Sequence, residues 1–440
     1  VNTSTALLTD HYELTMVDAA LRAGTAHRRS VFELFARRLA GARRYGVVAG
    51  TGRLLEAIER FRFAEPELEF LREQRIVSDE TLDWLADFRF GGTIWGYPEG
   101  EVFFPGSPLV IVESSFAEGV LLETLALSIL NSDSAVATAA SRMRHAAAGK
   151  PLAEMGSRRT GERSAVAAAR AAYIAGFSAT SNLEAGRNYG IPTMGTAAHS
   201  FTLLHETERE AFEAQIAALG TGTTLLVDTY DIEQGVRTAV EVAGPELGAV
   251  RIDSGDLPVV VARVRQLLDE LGATGTRITV TNDLDEYTVA ALAASPVDSF
   301  GVGTSVVVGS GSPTMGMVYK LVAHENAAGE WVSVAKKSAE KASVGGRKSV
   351  RRAYDDRGVA TAELIFLGDG PGGEPEGAEL AGITREVLAP LVVDGVVQPG
   401  STGAAGIAAA RSRHEARTRE LPIVARSLTR GDPAIPTEYR

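Results

Sequence analysis

The chain has 440 residues, 45% hydrophobic and 23% charged, which is enough for two or three domains with sizeable cores. Its formal net charge of -12 disfavours nucleic acid and anionic membranes as general partners, so an anionic substrate has to be caught by local cations. It has no cysteine, which excludes disulfides, thiolate nucleophiles and cysteine-ligated metal centres.

Residues 1–10 show no basic segment followed by an apolar core, and no run of about 20 apolar residues stands out. Neither a signal peptide nor a membrane span is expected, and the expected location is cytoplasmic. Residues 1–135 read as an α+β domain. Thr9 or Asp10 is placed to cap a helix through Met16. Residues 30–35 and 45–50 read as strands bounded by turn residues. Ser78-Asp79-Glu80-Thr81 opens a further helix. Residues 100–112 hold two β-like pieces split by Pro105-Gly106, and 120–130 is a strongly apolar helix.

From 136 to 325 strands and helices alternate, the pattern of βα units around a parallel sheet or barrel. Candidate strands are 152–155, 176–179, 193–194, 224–228, 249–253, 277–281, 299–303 and 317–321. Polar residues and glycines collect just after them: Gly156-Ser157-Arg158-Arg159, Ser181-Asn182, His199, Asp228, Asp253-Ser254-Gly255-Asp256, Asn282-Asp283 and Gly303-Thr304-Ser305. In parallel α/β architectures such strand ends face one common site. The fold class from this pattern is α/β, a parallel sheet or barrel preceded by an N-terminal α+β domain. Residues 326–440 form a C-terminal extension, expected partly to complete the N-terminal domain. Within it, Gly368 to Gly377 reads as a loop.

His199 sits in Gly195-Thr196-Ala197-Ala198-His199-Ser200, where small neighbours leave room for a ligand. Asp228 or Asp253 is placed to orient the ring, leaving the imidazole as a base or as a nucleophile toward phosphorus. Arg158 and Arg159 offer guanidinium forks for carboxylate or phosphate. Alternation sends Arg251 and Asp253 to one face, and a carboxylate there suits a ribose diol or magnesium. Gly301-Val302-Gly303-Thr304 suits a phosphate held by backbone N–H groups, and it is neither a P-loop nor a Rossmann fingerprint.

With these residues laid out, the chain resembles nicotinate phosphoribosyltransferase. The matching stretches are Leu8-Thr9-Asp10-His11-Tyr12-Glu13-Leu14-Thr15-Met16, Val31-Phe32-Glu33-Leu34, Gly156-Ser157-Arg158-Arg159, Thr180-Ser181-Asn182, Gly195 to Ser200, Asp228-Thr229-Tyr230, Arg251 to Asp256 and Gly301 to Thr304. Lys337-Ser338, Lys341 and Gly346-Arg347-Lys348 complete the set. They follow the family's order over residues 5–355.

The resemblance implies a type II phosphoribosyltransferase, whose fold is an irregular open (β/α) barrel with an N-terminal α+β domain and a C-terminal extension. Such an enzyme joins nicotinate to phosphoribosyl pyrophosphate (PRPP), with coupled ATP hydrolysis and magnesium, in NAD salvage. It also implies a homodimer with shared active sites. By the same resemblance His199 is the histidine that ATP phosphorylates and Asp228 orients it. Asp253 lies near the ribose hydroxyls and Arg251 near the substrate phosphates. Arg158 serves the base and phosphate site, with Asn182 and Thr196 also on the substrate side. Ser254, Gly255, Gly303 and Thr304 hold phosphate. Tyr12 stacks on the pyridine ring of the neighbouring subunit's site. The metal ligands stay unassigned.

The nearest alternative is nicotinamide phosphoribosyltransferase, which is similar but carries an acid where Asn182 stands. A neutral Asn182 beside Arg158 favours nicotinate. Quinolinate phosphoribosyltransferase is shorter and wants more cations. Other readings are an inactive binding relative, against which intact His199, Asp228, Asp253 and Arg158 argue, and a barrel enzyme with Lys320 as a Schiff-base lysine.

Overall fold

A computed structural model describes residues 3–335, 344–373 and 382–440. The chain divides into two compact units, one of Val1–Thr138 with Ser312–Arg440 and one of Ala139–Gly311.

The first unit is built on an antiparallel seven-stranded sheet. Its order is Trp331–Ser333, Met317–Glu325, Arg29–Ala36, Pro108–Ser115, Thr93–Gly96, Ala389–Val393 and Val396–Val397. Arg29–Ala36 is buried along nearly its whole length, as its run of Val31, Phe32, Leu34 and Phe35 requires. On it Phe32 stacks on Tyr319 at 5.1 Å between centroids. Glu33 is also buried there and receives both its bonds from Lys348 Nζ at 2.8 Å. A four-stranded sheet (Ile383–Glu386, Lys348–Tyr354, Ala360–Leu367, Thr437–Tyr439) carries fully buried Arg352, paired with Glu101 at 2.7 Å and Glu363 at 2.6 Å.

Two expectations need correction here. Residues 317–321 are not a barrel strand. They belong to Met317–Glu325, which runs antiparallel to Arg29–Ala36, so the boundary expected at 325 falls at 311. Lys320 leaves the barrel with that strand, and its Nζ donates to Tyr319 O at 2.7 Å, which removes the basis for a Schiff-base barrel lysine. The second correction concerns Phe116–Ala146, which is long and apolar enough by composition to cross a bilayer, where no such run was expected. Its polar residues show it to be a core element. Asp133, 1% exposed, is bonded by Arg53 at 2.7 and 2.9 Å. Ser134 and Thr138 accept the backbone N–H groups of Ala49 and Val47.

The second unit is the open α/β barrel. Six parallel strands lie in the order Ala179–Thr180, Leu152–Glu154, Ser299–Val302, Arg277–Val280, Ala249–Ile252 and Thr224–Leu226. A single parallel bridge adds Thr193 beside Thr180. The first and last strands, Leu152–Glu154 and Ser299–Val302, are paired, as in a barrel closing on itself. The break falls between two strands consecutive in the chain, at Thr193 and at Thr224–Leu226, which are not paired among the described residues. Helices His199–Leu204 and Glu208–Leu219 occupy the chain between them.

Candidate active site

The strands are short and apolar, so each delivers its first polar residues at the same end of the sheet. His199 is the first residue of helix His199–Leu204. The approach to it is held by Arg251, whose Nη1 donates to Thr196 Oγ1 at 2.9 Å and to Ala197 O at 3.1 Å. Alternation along Ala249–Ile252 turns Arg251 inward, and parallel pairing sets it beside Leu226 and Thr279.

The ring of His199 lies among three oxygens. Nδ1 is 3.1 Å from Thr229 Oγ1. Nε2 is 3.8 Å from Asp228 Oδ1 and 3.9 Å from Asp253 Oδ2, both wider than a hydrogen bond. Asp228 Oδ2 is saturated by Asp253 N–H at 2.8 Å and Ser254 Oγ at 2.6 Å. Its Oδ1 is buried with no hydrogen-bond partner, and it is the atom that faces His199. A buried carboxylate oxygen without a donor is costly unless a donor arrives. The ring nitrogen that faces it is His199 Nε2, 3.8 Å away. Asp253 is anchored by Thr281 Oγ1 at 2.5 Å.

Beside this centre is an open cleft of about 200 Å³ lined by Met155, Arg158, Arg159, Arg251, Asp253, Thr281, Asn282, Asp283, Gly303 and Thr304. Three guanidinium groups against two carboxylates give it a cationic balance, although the chain as a whole is acidic. Gly303 precedes the short helix Thr304–Val307. Asp283 holds φ +23, an uncommon conformation for a residue with a side chain, on the cleft wall. At Gly156 a Cβ would come within 2.2 Å of Val307 Cγ1, so only glycine lets the Arg158 loop pass.

The second unit thus brings together Arg158, Thr196, His199, Asp228, Arg251, Asp253, Ser254, Gly303 and Thr304, with Gly255 in the turn after Asp253 at φ +89. Asn182 is present, but its amide is engaged at both ends. Oδ1 accepts Ala185 N–H at 2.9 Å as the cap of helix Leu183–Tyr189, and Nδ2 donates to Ser157 Oγ at 3.0 Å. Tyr12 belongs to the first unit, 45% exposed on helix His11–Arg22. Its hydroxyl is pushed up to about 12 by burial and then by Glu123 and Glu13. Lys337-Ser338 and Lys341 lie outside the described residues.

The sequence reading missed two carboxylates. Glu154 is the only acid within the six barrel strands and is fully buried; an acid closing an apolar strand two residues before a glycine was the available signal. Glu208 opens helix Glu208–Leu219 with Oε1 buried and unpartnered. Its carboxyl is pushed up to about 7 by burial and then by the charges of Asp231 and Asp228.

A parallel barrel-end cleft with a carboxylate-flanked histidine and three arginines defines an α/β enzyme acting on anionic substrates. Comparison with known proteins narrows this. The nicotinate phosphoribosyltransferase N-terminal domain matches residues 7–131, and the nicotinate phosphoribosyltransferase family matches residues 151–364. The chain is 55% identical over 439 residues to nicotinate phosphoribosyltransferase pncB1 of Mycobacterium tuberculosis, covering 98% of this chain and 94% of that protein. It is 37% identical over 361 residues to the Bacillus subtilis nicotinate phosphoribosyltransferase, covering 79% and 73%. The crystal structure of human nicotinic acid phosphoribosyltransferase superposes with a TM-score of 0.81 at 26% identity, covering 98% of this chain and 97% of that one. The chain belongs to the nicotinate phosphoribosyltransferase family.

Proposed function

We propose that the cleft joins nicotinate to PRPP, giving nicotinate mononucleotide and pyrophosphate in NAD salvage, and that ATP is hydrolysed alongside through a phosphorylated His199. The observation that carries the second part is the buried, unpartnered Asp228 Oδ1 facing His199 Nε2. With two carboxylates on the Nε2 side, the proton belongs on Nε2 and the lone pair on Nδ1. A phosphoryl group is itself anionic, so it attaches at Nδ1, away from Asp228 and Asp253. Nδ1 attacks the γ-phosphorus of ATP, the N–P bond forms, the bond to the bridging oxygen breaks and ADP leaves. Thr229 Oγ1, 3.1 Å from Nδ1, is placed to donate to the transferred group. Water later takes the phosphoryl group as phosphate and restores the ring.

In the transfer reaction the pyridine nitrogen attacks the anomeric carbon of PRPP while pyrophosphate departs. The nitrogen is already a nucleophile, so no general base is required. Arg158 and Arg159 take the substrate carboxylate and phosphates, and the backbone at Gly303–Thr304 takes the 5′-phosphate. Magnesium, when bound, offsets the charge of the pyrophosphate. No group of three or more His, Asp or Glu side chains suited to a metal occurs among the described residues. Such an ion fits here as one held by substrate phosphates, with Asp253 and Asp283 on the cleft wall as its protein carboxylates. We further propose a cytoplasmic homodimer in which Tyr12 serves the neighbouring subunit's site; its 45% exposure supports that role.

The test is a paired assay with nicotinate and nicotinamide, each with PRPP and with or without ATP. Nicotinate is the preferred substrate and ATP raises its turnover. Equal or better use of nicotinamide overturns the substrate assignment. His199→Ala abolishes acid-labile phosphorylation and ATP hydrolysis while basal transfer persists. A phosphohistidine retained in that variant refutes the carrier role.

A further inference from the structure

Leu8 to Met16, the first of the matching stretches, holds three polar side chains that the chemistry above leaves unused: Thr9, Asp10 and Glu13. All three reach one short segment, the approach to helix Glu123–Ala146. Thr9 Oγ1 donates to Leu121 O at 3.4 Å. Asp10 Oδ2 accepts Thr124 Oγ1 at 3.0 Å, and Glu13 Oε1 accepts Thr124 N–H at 2.8 Å. Thr124 thus gives both its donors to acids at the start of helix His11–Arg22. The segment is fixed from the other side as well, because the buried Tyr319 hydroxyl donates to Gly119 O at 2.7 Å.

Neither acid is placed for stability. Asp10 is the N-cap residue of its helix, where a carboxylate ordinarily accepts an N–H of its own first turn, and it makes no such bond. Glu13 is fully buried, and its Oε2 has no hydrogen-bond partner. A buried carboxyl group with an oxygen left over is costly, and an apolar side chain of similar size would cost less. What the two acids supply instead is a single position for the turn between them. Tyr12 lies in that turn, beside Glu13 and two residues after Asp10. Its side chain is 45% exposed although Glu13 is fully buried, so the turn is anchored at its base and open at Tyr12. Burial and then the charge of Glu123 push the Tyr12 hydroxyl up, which places the phenol against the same helix start.

We propose that Thr124 and Glu13 are positioning residues for Tyr12. Through the bonds of Thr124 to Asp10 and Glu13, the start of helix Glu123–Ala146 sets where the Tyr12 ring stands when it enters the neighbouring subunit's pyridine site. This rests on the reading of Tyr12 in a shared homodimer site given above. The clasp touches no substrate. Its effect passes through the Tyr12 ring, so it shows in the affinity for the pyridine, and it shows in the site of the other protomer. A ring that moves among several positions is competent for only part of the time, and apparent affinity falls by that fraction.

The experiment measures KM and kcat for nicotinate, with PRPP and ATP saturating, first in homodimers and then in mixed dimers purified through a different tag on each protomer. Tyr12→Ala raises KM about tenfold, the effect of one lost ring contact. Thr124→Val keeps the backbone N–H, loses the hydroxyl and raises KM about three- to tenfold. Thr124→Ser, which keeps the hydroxyl, restores it. Glu13→Gln keeps an oxygen for Thr124 N–H and stays within about twofold of wild type, whereas Glu13→Met does not. In a Tyr12→Ala background Thr124→Val has no further effect on KM. Effects that multiply in that background overturn the proposal, because a merely structural role acts in any background. In the mixed dimers one protomer carries Arg158→Ala, so only the other site turns over. Thr124→Val on the Arg158→Ala protomer raises KM, and Thr124→Val on the working protomer leaves it unchanged; the reverse pattern overturns the proposal. Thermal unfolding identifies misfolded variants, and if Glu13→Met unfolds, Thr124→Val with its serine control decides. A Thr124→Val enzyme with unchanged KM beside a Tyr12→Ala enzyme with raised KM overturns the clasp alone. An unchanged KM in Tyr12→Ala overturns the reading of Tyr12, and the proposal with it.

Discussion

Asp228→Asn keeps the shape of a buried side chain and removes its charge. Asp228 Oδ2 accepts from Asp253 N–H and Ser254 Oγ at 2.8 and 2.6 Å, bonds that an asparagine oxygen takes over. The asparagine NH2 then occupies the place of Oδ1, 3.8 Å from His199 Nε2. A donor there needs a lone pair on Nε2, so the ring proton moves to Nδ1 and the attacking lone pair is lost. A hydrogen bond to a charged group contributes about 1.5–3 kcal/mol. The His199 side chain is 40% exposed, and solvent screening brings this down to about 1–2 kcal/mol. That is a five- to thirtyfold drop, roughly, in the reactive tautomer. The assay is the rate of acid-labile phosphorylation from labelled ATP, read beside the ¹⁵N shifts of the imidazole, which report the tautomer directly. A variant that phosphorylates at the wild-type rate with unshifted nitrogens refutes the assignment of Nδ1 as the attacking atom.

Gly156→Ala sets a methyl group 2.2 Å from Val307 Cγ1 and 3.0 Å from Gly303 O; overpacking costs about 1–3 kcal/mol in urea unfolding, with loss of turnover because the Arg158 loop shifts. Lys348→Met leaves Glu33 buried without the cation 2.8 Å away and costs about 3–5 kcal/mol. Burial pushes the Glu33 carboxyl up to about 7, with Lys348 opposing, so without the lysine the folded protein keeps a proton that the unfolded chain releases above its ordinary value. Stability is then greatest in acid and falls as pH rises through 7, and thermal melts show a larger deficit at high pH than at low. Glu208→Gln follows the same sign: its carboxyl is raised to about 7, so the variant gains stability over wild type on the alkaline side of that value and matches it in acid. A Lys348→Met deficit that instead grows toward acid, or a Glu208→Gln advantage that grows toward acid, contradicts the sign.

The strand ends were legible in the sequence because a short parallel strand is apolar to its last residue and polar immediately after. Asp228, Asp253 and Gly303 stand out for that reason alone. Strand partners were not legible. Residues 317–321 have the same apolar character as a barrel strand, and nothing local says that Met317–Glu325 pairs with Arg29–Ala36 in the opposite direction. The partner lies well over half the length of the chain away, and its match is made by side-chain packing such as Phe32 on Tyr319. Glu154 was hidden differently. Read as part of a strand it is only a polar interruption, and its meaning depends on Thr180 being its register partner. The role of Thr229 at the histidine ring escaped as well, because a hydroxyl carries no pattern until the loop that bears it is placed.

The break in the barrel bears on the carrier role proposed for the histidine. In a closed barrel the strand at Thr193 would continue into a ladder with Thr224–Leu226, and the carbonyls that follow it would be spent on backbone pairing. Here the ladder stops at one bridge, and Ala197 O is taken by Arg251 Nη1, which also holds Thr196 Oγ1. One guanidinium stands in for the missing strand contacts. It fixes the backbone two residues before His199 while leaving the helix His199–Leu204 free of sheet pairing, with Leu203 and Leu204 exposed. Arg251 also lies on the strand that leads to Asp253, and Asp253 N–H is what saturates Asp228 Oδ2. The position of the ring and the orientation of its buried acid are thus set from one strand, Ala249–Ile252. That shared origin lets a histidine at the open edge keep its register with two carboxylates although no strand ladder holds it there.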